Sequence, residues 1–183
     1  MISEQAKYSF DFIFKKSVYA NFPTSDDDVY EITSIQNEED IVASELSIIT
    51  IASPSFRFFV IFHFNSQSDI LKNSFSKNTD SENKENDSFL DAFLEFCNMC
   101  CGSISRELYP HCDFLGMSTP YVLLNKSSAF IDDLHPNYIA RYKITINDTA
   151  ALYGTICVCD YGVVDFKVDT TIVEEDAGEL ELF

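Results

Sequence analysis

Seven stretches of the chain have the hydrophobic pattern of β-strands, with β-branched and aromatic residues between polar breaks. They are VYEITSIQ (29–36), IVASELSIITIA (41–52), SFRFFVIFHF (55–64), PYVLLN (120–125), YIARYKITIN (138–147), LYGTICVCDY (152–161) and GVVDFKV (162–168). The residues NDTA at 147–150 suit a hairpin connection. We expect the first three strands to pair as an antiparallel sheet.

The most regular helical pattern runs from Ser88 to about Tyr109. Asn86, Asp87 and Ser88 can each cap its start, and Pro110 marks its end. At about 100° per residue, the apolar side chains of this segment share one face, which we expect to anchor the helix to the sheet. That face comprises Phe93, Leu94, Cys97, Cys100, Cys101, Ile104 and Leu108.

The remaining segments give weaker patterns. Residues 8–22 fit an amphipathic helix better than the strand that the alternation in SFDFIF also allows, and 68–75 fit a short helix. Residues 24–28 predict an acidic turn. Residues 77–88 contain no apolar side chain and predict a mobile loop, and 174–183 predict a loosely held acidic tail. The predicted fold class is α+β: an antiparallel sheet packed by the long helix and an N-terminal helix.

The composition supports one folded domain over residues 1–183. The chain is 46% hydrophobic and contains 17 Phe and 9 Tyr, which excludes wholesale disorder. With 12 basic and 30 acidic residues, its formal net charge of -18 repels nucleic acid and anionic lipid, so neither is an expected partner.

No targeting pattern is visible in the sequence. The first residues, MISEQAKYSFDF, lack the charged-then-apolar pattern of a signal peptide. The longest apolar run, FRFFVIFHF at 56–64, is too short to cross a bilayer. We therefore expect a soluble cytoplasmic protein whose six cysteines are free thiols.

The other side of the long helix carries a polar stripe. Asp91, Glu95, Asn98, Gly102 and Ser105 fall within roughly 40° of a common line, and Arg106 lies beside them. The simplest interpretation is a solvated surface. However, Asn and Gly cost up to about 1 kcal/mol each in a helix relative to Ala, and a solvated stripe does not need them. Gly102 also leaves the surface shallow enough for another molecule to approach Asn98.

The spacing of these residues resembles the signature of the CheC, CheX and FliY phosphatases of bacterial chemotaxis. That signature is Asp or Ser, three residues, Glu, two residues, Asn, twenty-one residues and Pro. Asp91, Glu95, Asn98 and Pro120 fill all of its positions. NMCCG, STPYVLL and SFRFFVIFHF also resemble family segments, and the resemblance spans roughly residues 53–160.

The resemblance implies a function and a set of roles. It implies a phosphatase that accelerates hydrolysis of the aspartyl phosphate of a CheY-like response regulator. Asn98 would position water, Glu95 would pair with the regulator's lysine, and the required Mg²⁺ would be held by the regulator, with no cofactor on this chain. Gly102 and Arg106 would contact the partner, and Pro120 would fix the turn into the next strand. Asp91 would be a further contact with the partner or a first-turn residue that suits the helix dipole.

Within the family, the chain most resembles CheX, and it also differs from the family pattern in places. One Glu and Asn pair per chain resembles CheX, which implies a homodimer. The chain departs from the family in its long 77–88 loop, in its 162–183 extension, and in lacking a glycine shortly after Pro120. A non-catalytic CheX-like binding or scaffold module is the alternative, because a fold does not guarantee activity.

Cysteines and histidines raise a competing zinc hypothesis. Its candidate ligands are Cys97, Cys100, Cys101, His111 and Cys112. The helix phase places the first three on the apolar face, so small buried hydrophobes are the preferred interpretation there, as for Cys157 and Cys159. His63 and His135 lack a partnered nucleophile and are interpreted as structural or exposed. No glycine-rich phosphate loop is present.

Overall fold

A computed structural model describes residues 1–23, 28–76 and 85–170. The helices are α1 (Glu4–Asn21), α2 (Asp69–Ser76) and α3 (Glu85–Leu108). The strands are β1 (Tyr30–Ile35), β2 (Glu45–Ala52), β3 (Phe56–Phe64), β4 (Gly116–Met117), β5 (Tyr121–Leu124), β6 (Tyr138–Ile146) and β7 (Thr149–Asp160). Short 3₁₀ helices span Glu38–Asp40, Asn125–Phe130 and Asp132–Leu134.

The strands described form one antiparallel sheet in the order β1-β6-β7-β3-β2, with β4 and β5 both pairing with the outer edge of β2. The β6–β7 hairpin turns at Asn147 and Asp148, which both have positive φ, as a type I′ hairpin turn requires. This arrangement confirms the predicted α+β class and antiparallel sheet, and it places the hairpin within the predicted 147–150 segment. Of the first three predicted strands, β2 and β3 pair with each other, but β1 pairs with β6 at the far edge of the sheet. The predicted pairing of all three is therefore wrong for β1, because the order of strands along the chain does not fix their order in the sheet.

The main core lies between one face of the sheet and the helices. α1 and α3 pack on this face, and α1 is a helix, as preferred from sequence. Aromatic contacts join Phe10 to Phe58 and Phe62 to Phe96. Each fully buried side chain of this size contributes roughly 1.5–3 kcal/mol. The core therefore fixes which face of each helix points away from the sheet.

α1 holds α3 in place through specific contacts as well as through the core. The Ser17 hydroxyl donates to the Cys100 carbonyl oxygen at 2.6 Å. Near the end of α3, Lys16 pairs with Glu107 at 2.9 Å. These contacts lie on the side of α3 that faces α1, so they leave its polar stripe uncovered.

Helix α3 starts earlier than predicted. It begins at Glu85, not Ser88, so Asn86 and Asp87 lie within the helix and do not precede it. Residues suited to capping are also tolerated in a first turn, so their presence allows several starting points. The rest of the predicted mobile loop (77–84) lies outside the described residues. So do 24–27 of the predicted acidic turn and the predicted acidic tail.

The predicted strand at 162–168 is wrong. Val164, Phe166 and Val168 are buried and alternate with exposed residues, which gives the segment the period of a strand. However, the segment joins no sheet: its strand-like pairing is limited to an isolated parallel bridge between Val164 and Ile2. Its backbone also bonds to the Ser9 hydroxyl of α1, which accepts from the Val168 N–H at 3.2 Å. The alternation arises because the extended chain packs along α1 and not against a neighbouring strand.

Candidate functional site

The polar stripe of α3 faces away from the core. Phe93, Cys97 and Cys101 are buried on the opposite side of the helix, as predicted. Because the helix is anchored through that side, Asp91 and Glu95 are exposed and Asn98 is half-buried. Neither Asn98 nor Glu95 has a side-chain hydrogen bond or ion pair with the described part of the chain. Their polar groups are therefore available to another molecule.

The second side of the site is an irregularity in the edge strand. Met117 lies opposite Ile51 and Tyr121 lies opposite Ile48, so residues 118–120 face only residues 49–50 of β2. The extra residue is a β-bulge, which commonly redirects side chains at sheet edges. Proline suits this position because it has no N–H to donate to the sheet.

Two hydrogen bonds fix the start of the bulge. The Ser118 N–H donates to the Thr50 carbonyl oxygen at 2.9 Å, and the Thr50 N–H donates to the Ser118 hydroxyl oxygen at 3.0 Å. A hydroxyl thus takes a carbonyl's place in the ladder, immediately before Thr119 and Pro120 leave the regular pairing.

The stripe and the bulge border one hollow. We call it the α3–β5 hollow; its volume is about 180 Å³. It is lined by Asp91, Leu94, Glu95, Asn98, Thr119 and Pro120. The structure therefore brings Pro120 beside the other three residues of the sequence pattern, although 21 residues separate it from Asn98.

Two further predicted site residues lie on the same helix but do not line the hollow. Gly102 is one turn beyond Asn98, and a Cβ atom added there would meet nothing within 4 Å. No packing within the chain therefore requires glycine at this position. Arg106 is exposed and donates to the Ser103 hydroxyl oxygen at 3.0 Å.

Sequence reasoning missed two lining residues. The residue spacing predicts Leu94 on the apolar face, but it is half-buried and lines the hollow. It lies only about 40° around the helix from Asn98, which was the available signal. Thr119 had a weaker signal, its position directly before Pro120, because the bulge depends on how a distant strand is paired.

The cysteines of α3 are buried, as the apolar-face interpretation predicted. Burial raises the pKa of the Cys97, Cys100 and Cys101 thiols well above the ordinary value. Burial and the Asp113 carboxylate raise the pKa of Cys112 to about 11. All four thiols are therefore protonated at neutral pH, which does not suit a nucleophile. The described residues contain no group of three or more His, Cys, Asp or Glu side chains that could hold a metal ion.

The cysteines of β7 and the histidines at 63 and 135 lie outside the hollow. Cys157 and Cys159 are buried in β7, as predicted. His63 is buried and structural: its Nδ1 donates to Asn125 Oδ1 at 2.7 Å, and its Nε2 accepts from the Thr155 hydroxyl at 2.9 Å. His135 is exposed. No helix in the described ranges is long and apolar enough to span a membrane.

The α+β architecture is shared with solved structures of chemotaxis proteins. CheX from Vibrio vulnificus has a TM-score of 0.53 and 17% identity, covering 82% of this chain and 99% of that chain. CheX from Borrelia burgdorferi, in a complex with CheY, BeF3 and Mg²⁺, has a TM-score of 0.59 and 11% identity, covering 82% and 96%. A CheC-like protein from Shewanella oneidensis has a TM-score of 0.54 and 14% identity, covering 83% and 96%.

No protein-family model and no curated protein sequence matches the chain. The chain has the CheX/CheC-like fold, and the resemblance found in the sequence is confirmed at this level. At these identities the likeness establishes the fold, whereas the chemistry has to be argued from the hollow itself.

Proposed function

We propose that this protein is a phosphatase for the aspartyl phosphate of a CheY-like response regulator. The observation that carries the proposal is the grouping of Glu95, Asn98 and Pro120 around one accessible hollow, in a chain with the CheX/CheC-like fold. The CheX of Borrelia burgdorferi, which shares that fold, forms a complex with CheY. A regulator of this class is therefore the proposed partner.

The hollow suits a reaction in which the substrate brings most of the catalytic groups. The regulator's acyl phosphate is already reactive, and in this proposal the regulator also holds Mg²⁺ and supplies a lysine. What remains is to align a water molecule with the P–O bond. Asn98 can accept a hydrogen bond from water and donate another, and its neutral amide adds no negative charge beside the phosphoryl group.

Glu95 has a docking role in this mechanism. It lies three residues before Asn98 on the same exposed side of α3, and its carboxylate is unpaired within the described residues. We assign it to the regulator's lysine. Such a pair contributes about 0.2–1 kcal/mol when exposed, but removing one partner of a desolvated pair costs roughly 2–5 kcal/mol.

The other residues of the stripe extend the contact with the partner. Asp91 lies one turn before Glu95, and Gly102 and Arg106 continue the surface beyond Asn98. Pro120 shapes the opposite wall and needs no contact with phosphate. The resemblance to CheX also leads us to propose a homodimer, which analytical ultracentrifugation would test directly.

The first prediction concerns Asn98. Phosphate release from a CheY-like regulator phosphorylated with acetyl phosphate should be faster with this protein than without it. Asn98→Ala should slow that release by on the order of 10² or more, because a positioned polar group is lost. The melting temperature should change little, since the side chain is not part of the core. An equal rate for wild type and Asn98→Ala would remove Asn98 from the mechanism.

The same assay distinguishes the phosphatase from a binding module. A module would bind the regulator loaded with BeF3 and Mg²⁺ without accelerating phosphate release. Glu95→Gln keeps the shape of the side chain and removes its charge, so it should weaken binding in either case. Acceleration by the wild type separates the two functions.

A further inference from the structure

The side chains that line the α3–β5 hollow differ in what they can offer a bound water. The carboxylates of Asp91 and Glu95 can only accept hydrogen bonds when ionised, and the side chains of Leu94 and Pro120 offer none. Two neutral polar groups remain, the Asn98 amide on α3 and the Thr119 hydroxyl on the bulge. They belong to opposite walls of the hollow.

An attacking water needs more than one hydrogen-bond partner. It directs one lone pair at phosphorus and keeps two O–H bonds that it can donate. One acceptor leaves the molecule free to rotate about that hydrogen bond, whereas two acceptors fix its orientation. Asn98 Oδ1 supplies the first acceptor in the proposed function, so the site needs a second.

The carboxylates are poorly suited to be that second acceptor. Glu95 is assigned to the regulator's lysine. Asp91 lies seven residues before Asn98, roughly 10 Å away along the helix axis. A second carboxylate beside the phosphoryl group would also be repelled by it. A neutral hydroxyl on the opposite wall avoids these difficulties.

We propose that the Thr119 hydroxyl oxygen is the second acceptor that positions the attacking water, opposite Asn98. This inference rests on the proposed function and adds a positioning residue to it. In the reaction, the water oxygen forms a bond to phosphorus as the bond from phosphorus to the aspartyl oxygen breaks. The regulator's aspartate leaves as a carboxylate, and both protons of the water end on the released dihydrogen phosphate.

The bulge restrains Thr119 on both sides. Before it, the Ser118 backbone and hydroxyl are bonded to Thr50. After it, Pro120 limits the backbone of the preceding residue to extended conformations. A side chain on a backbone restrained in this way has little backbone freedom left to lose when its hydroxyl orients a water molecule, so the residue before the proline is a suitable place for a positioning group.

The test compares three variants in the phosphate-release assay. Thr119→Val keeps the branched shape and removes the hydroxyl, and it should lower kcat by about 3- to 10-fold, the factor expected for one neutral hydrogen bond. Affinity for the regulator loaded with BeF3 and Mg²⁺ should not change. Thr119→Ser restores the hydroxyl and should recover most of the rate. Thr33→Val, on the opposite edge strand, is the matched control and should be unaffected.

The outcomes separate this inference from the proposed function. If Asn98→Ala loses activity while Thr119→Val keeps the wild-type kcat, the role of Thr119 is refuted and the phosphatase stands. If Thr119→Ser and Thr119→Val lower kcat by the same factor, the hydroxyl is not the group that matters, and the inference also fails. If the wild type does not accelerate phosphate release, the proposed function fails and takes this inference with it. Thermal melts of all variants exclude misfolding as the cause of a lost rate.

Discussion

Packing within the chain does not explain why residue 102 of α3 is a glycine. It sits in the interior of a 24-residue helix, where glycine is less favourable than alanine by roughly 0.5–1 kcal/mol. Nothing within 4 Å would obstruct a methyl group at this position. The free protein therefore gains nothing from glycine here, which fits a surface that another molecule approaches closely.

This leads to a prediction for Gly102→Ala. The free energy of unfolding, measured with urea, should rise by about 0.5–1 kcal/mol, because the helix gains propensity without a clash. Affinity for the BeF3-loaded regulator should fall, because the added methyl group occupies the docking surface. A stabilised variant with unchanged affinity would show that the partner does not approach this turn of α3.

At the scale of elements, the sequence predicts what depends on local periodicity. The apolar and polar faces of α3 follow from residue spacing within one helix, so the sequence alone places Asp91, Glu95 and Asn98 on its outer face. The bulge at Thr119 could not be predicted, because it depends on the pairing of residues 118–120 with β2, more than 60 residues earlier in the chain.

The segment at 162–168 shows that local periodicity can also predict a strand that does not form. Its alternating burial is real, but whether an alternating segment joins a sheet depends on which edge has room beside it. Val164 meets Ile2 in a single bridge and Phe166 packs on Phe10. Periodicity describes which side of an extended segment is buried, and it cannot identify the element that buries it.

His63 links three elements through hydrogen bonds from both ring nitrogens. It lies in β3 and bonds to Thr155 in β7 and to Asn125 at the start of a 3₁₀ helix. Burial lowers the pKa of His63 below its ordinary value of about 6.5, and this effect outweighs the Asn125 hydrogen bond, which raises it. As pH falls from 6.5 toward the lowered pKa, the unfolded chain takes up a proton that the folded chain excludes.

The stability of the protein should therefore decrease over that pH window. The contribution from His63 is complete above pH 6.5 and is lost as pH falls, with a slope of at most about 1.4 kcal/mol per pH unit. Urea unfolding between pH 7.5 and 5 should show a weaker dependence for His63→Gln than for wild type. His135→Gln, at an exposed position, is the control. Identical slopes for His63→Gln and wild type would contradict the prediction.

At the scale of the whole molecule, the charge is strongly unbalanced. The chain has 30 acidic and 12 basic residues, giving a formal net charge of -18. Between described residues, the ion pairs are few: they join Met1 to Asp160, Glu4 to Lys7, Lys16 to Glu107 and Glu38 to Arg141. Repulsion among the remaining carboxylates opposes the compact state.

Added salt should therefore stabilise the protein. Raising NaCl from about 0.01 M to 0.15 M shortens the Debye length from about 30 Å to about 8 Å, which screens repulsion across the molecule. The melting temperature should rise, by about 2–4 °C for each kcal/mol of repulsion relieved. Circular dichroism melts at the two salt concentrations would measure the shift. A lower melting temperature at the higher salt concentration would show that attractive pairs dominate.

The bulge in the edge strand also has a consequence for finding related proteins. Pro120 reaches the hollow because of its register on β2, while part of the interval from Asn98 consists of exposed chain between α3 and β4. An insertion in that connection could be accommodated without moving Thr119 or Pro120, whereas one between Met117 and Tyr121 would displace both. A search that demands a fixed count of residues therefore overlooks chains with the same spatial arrangement and a longer connection.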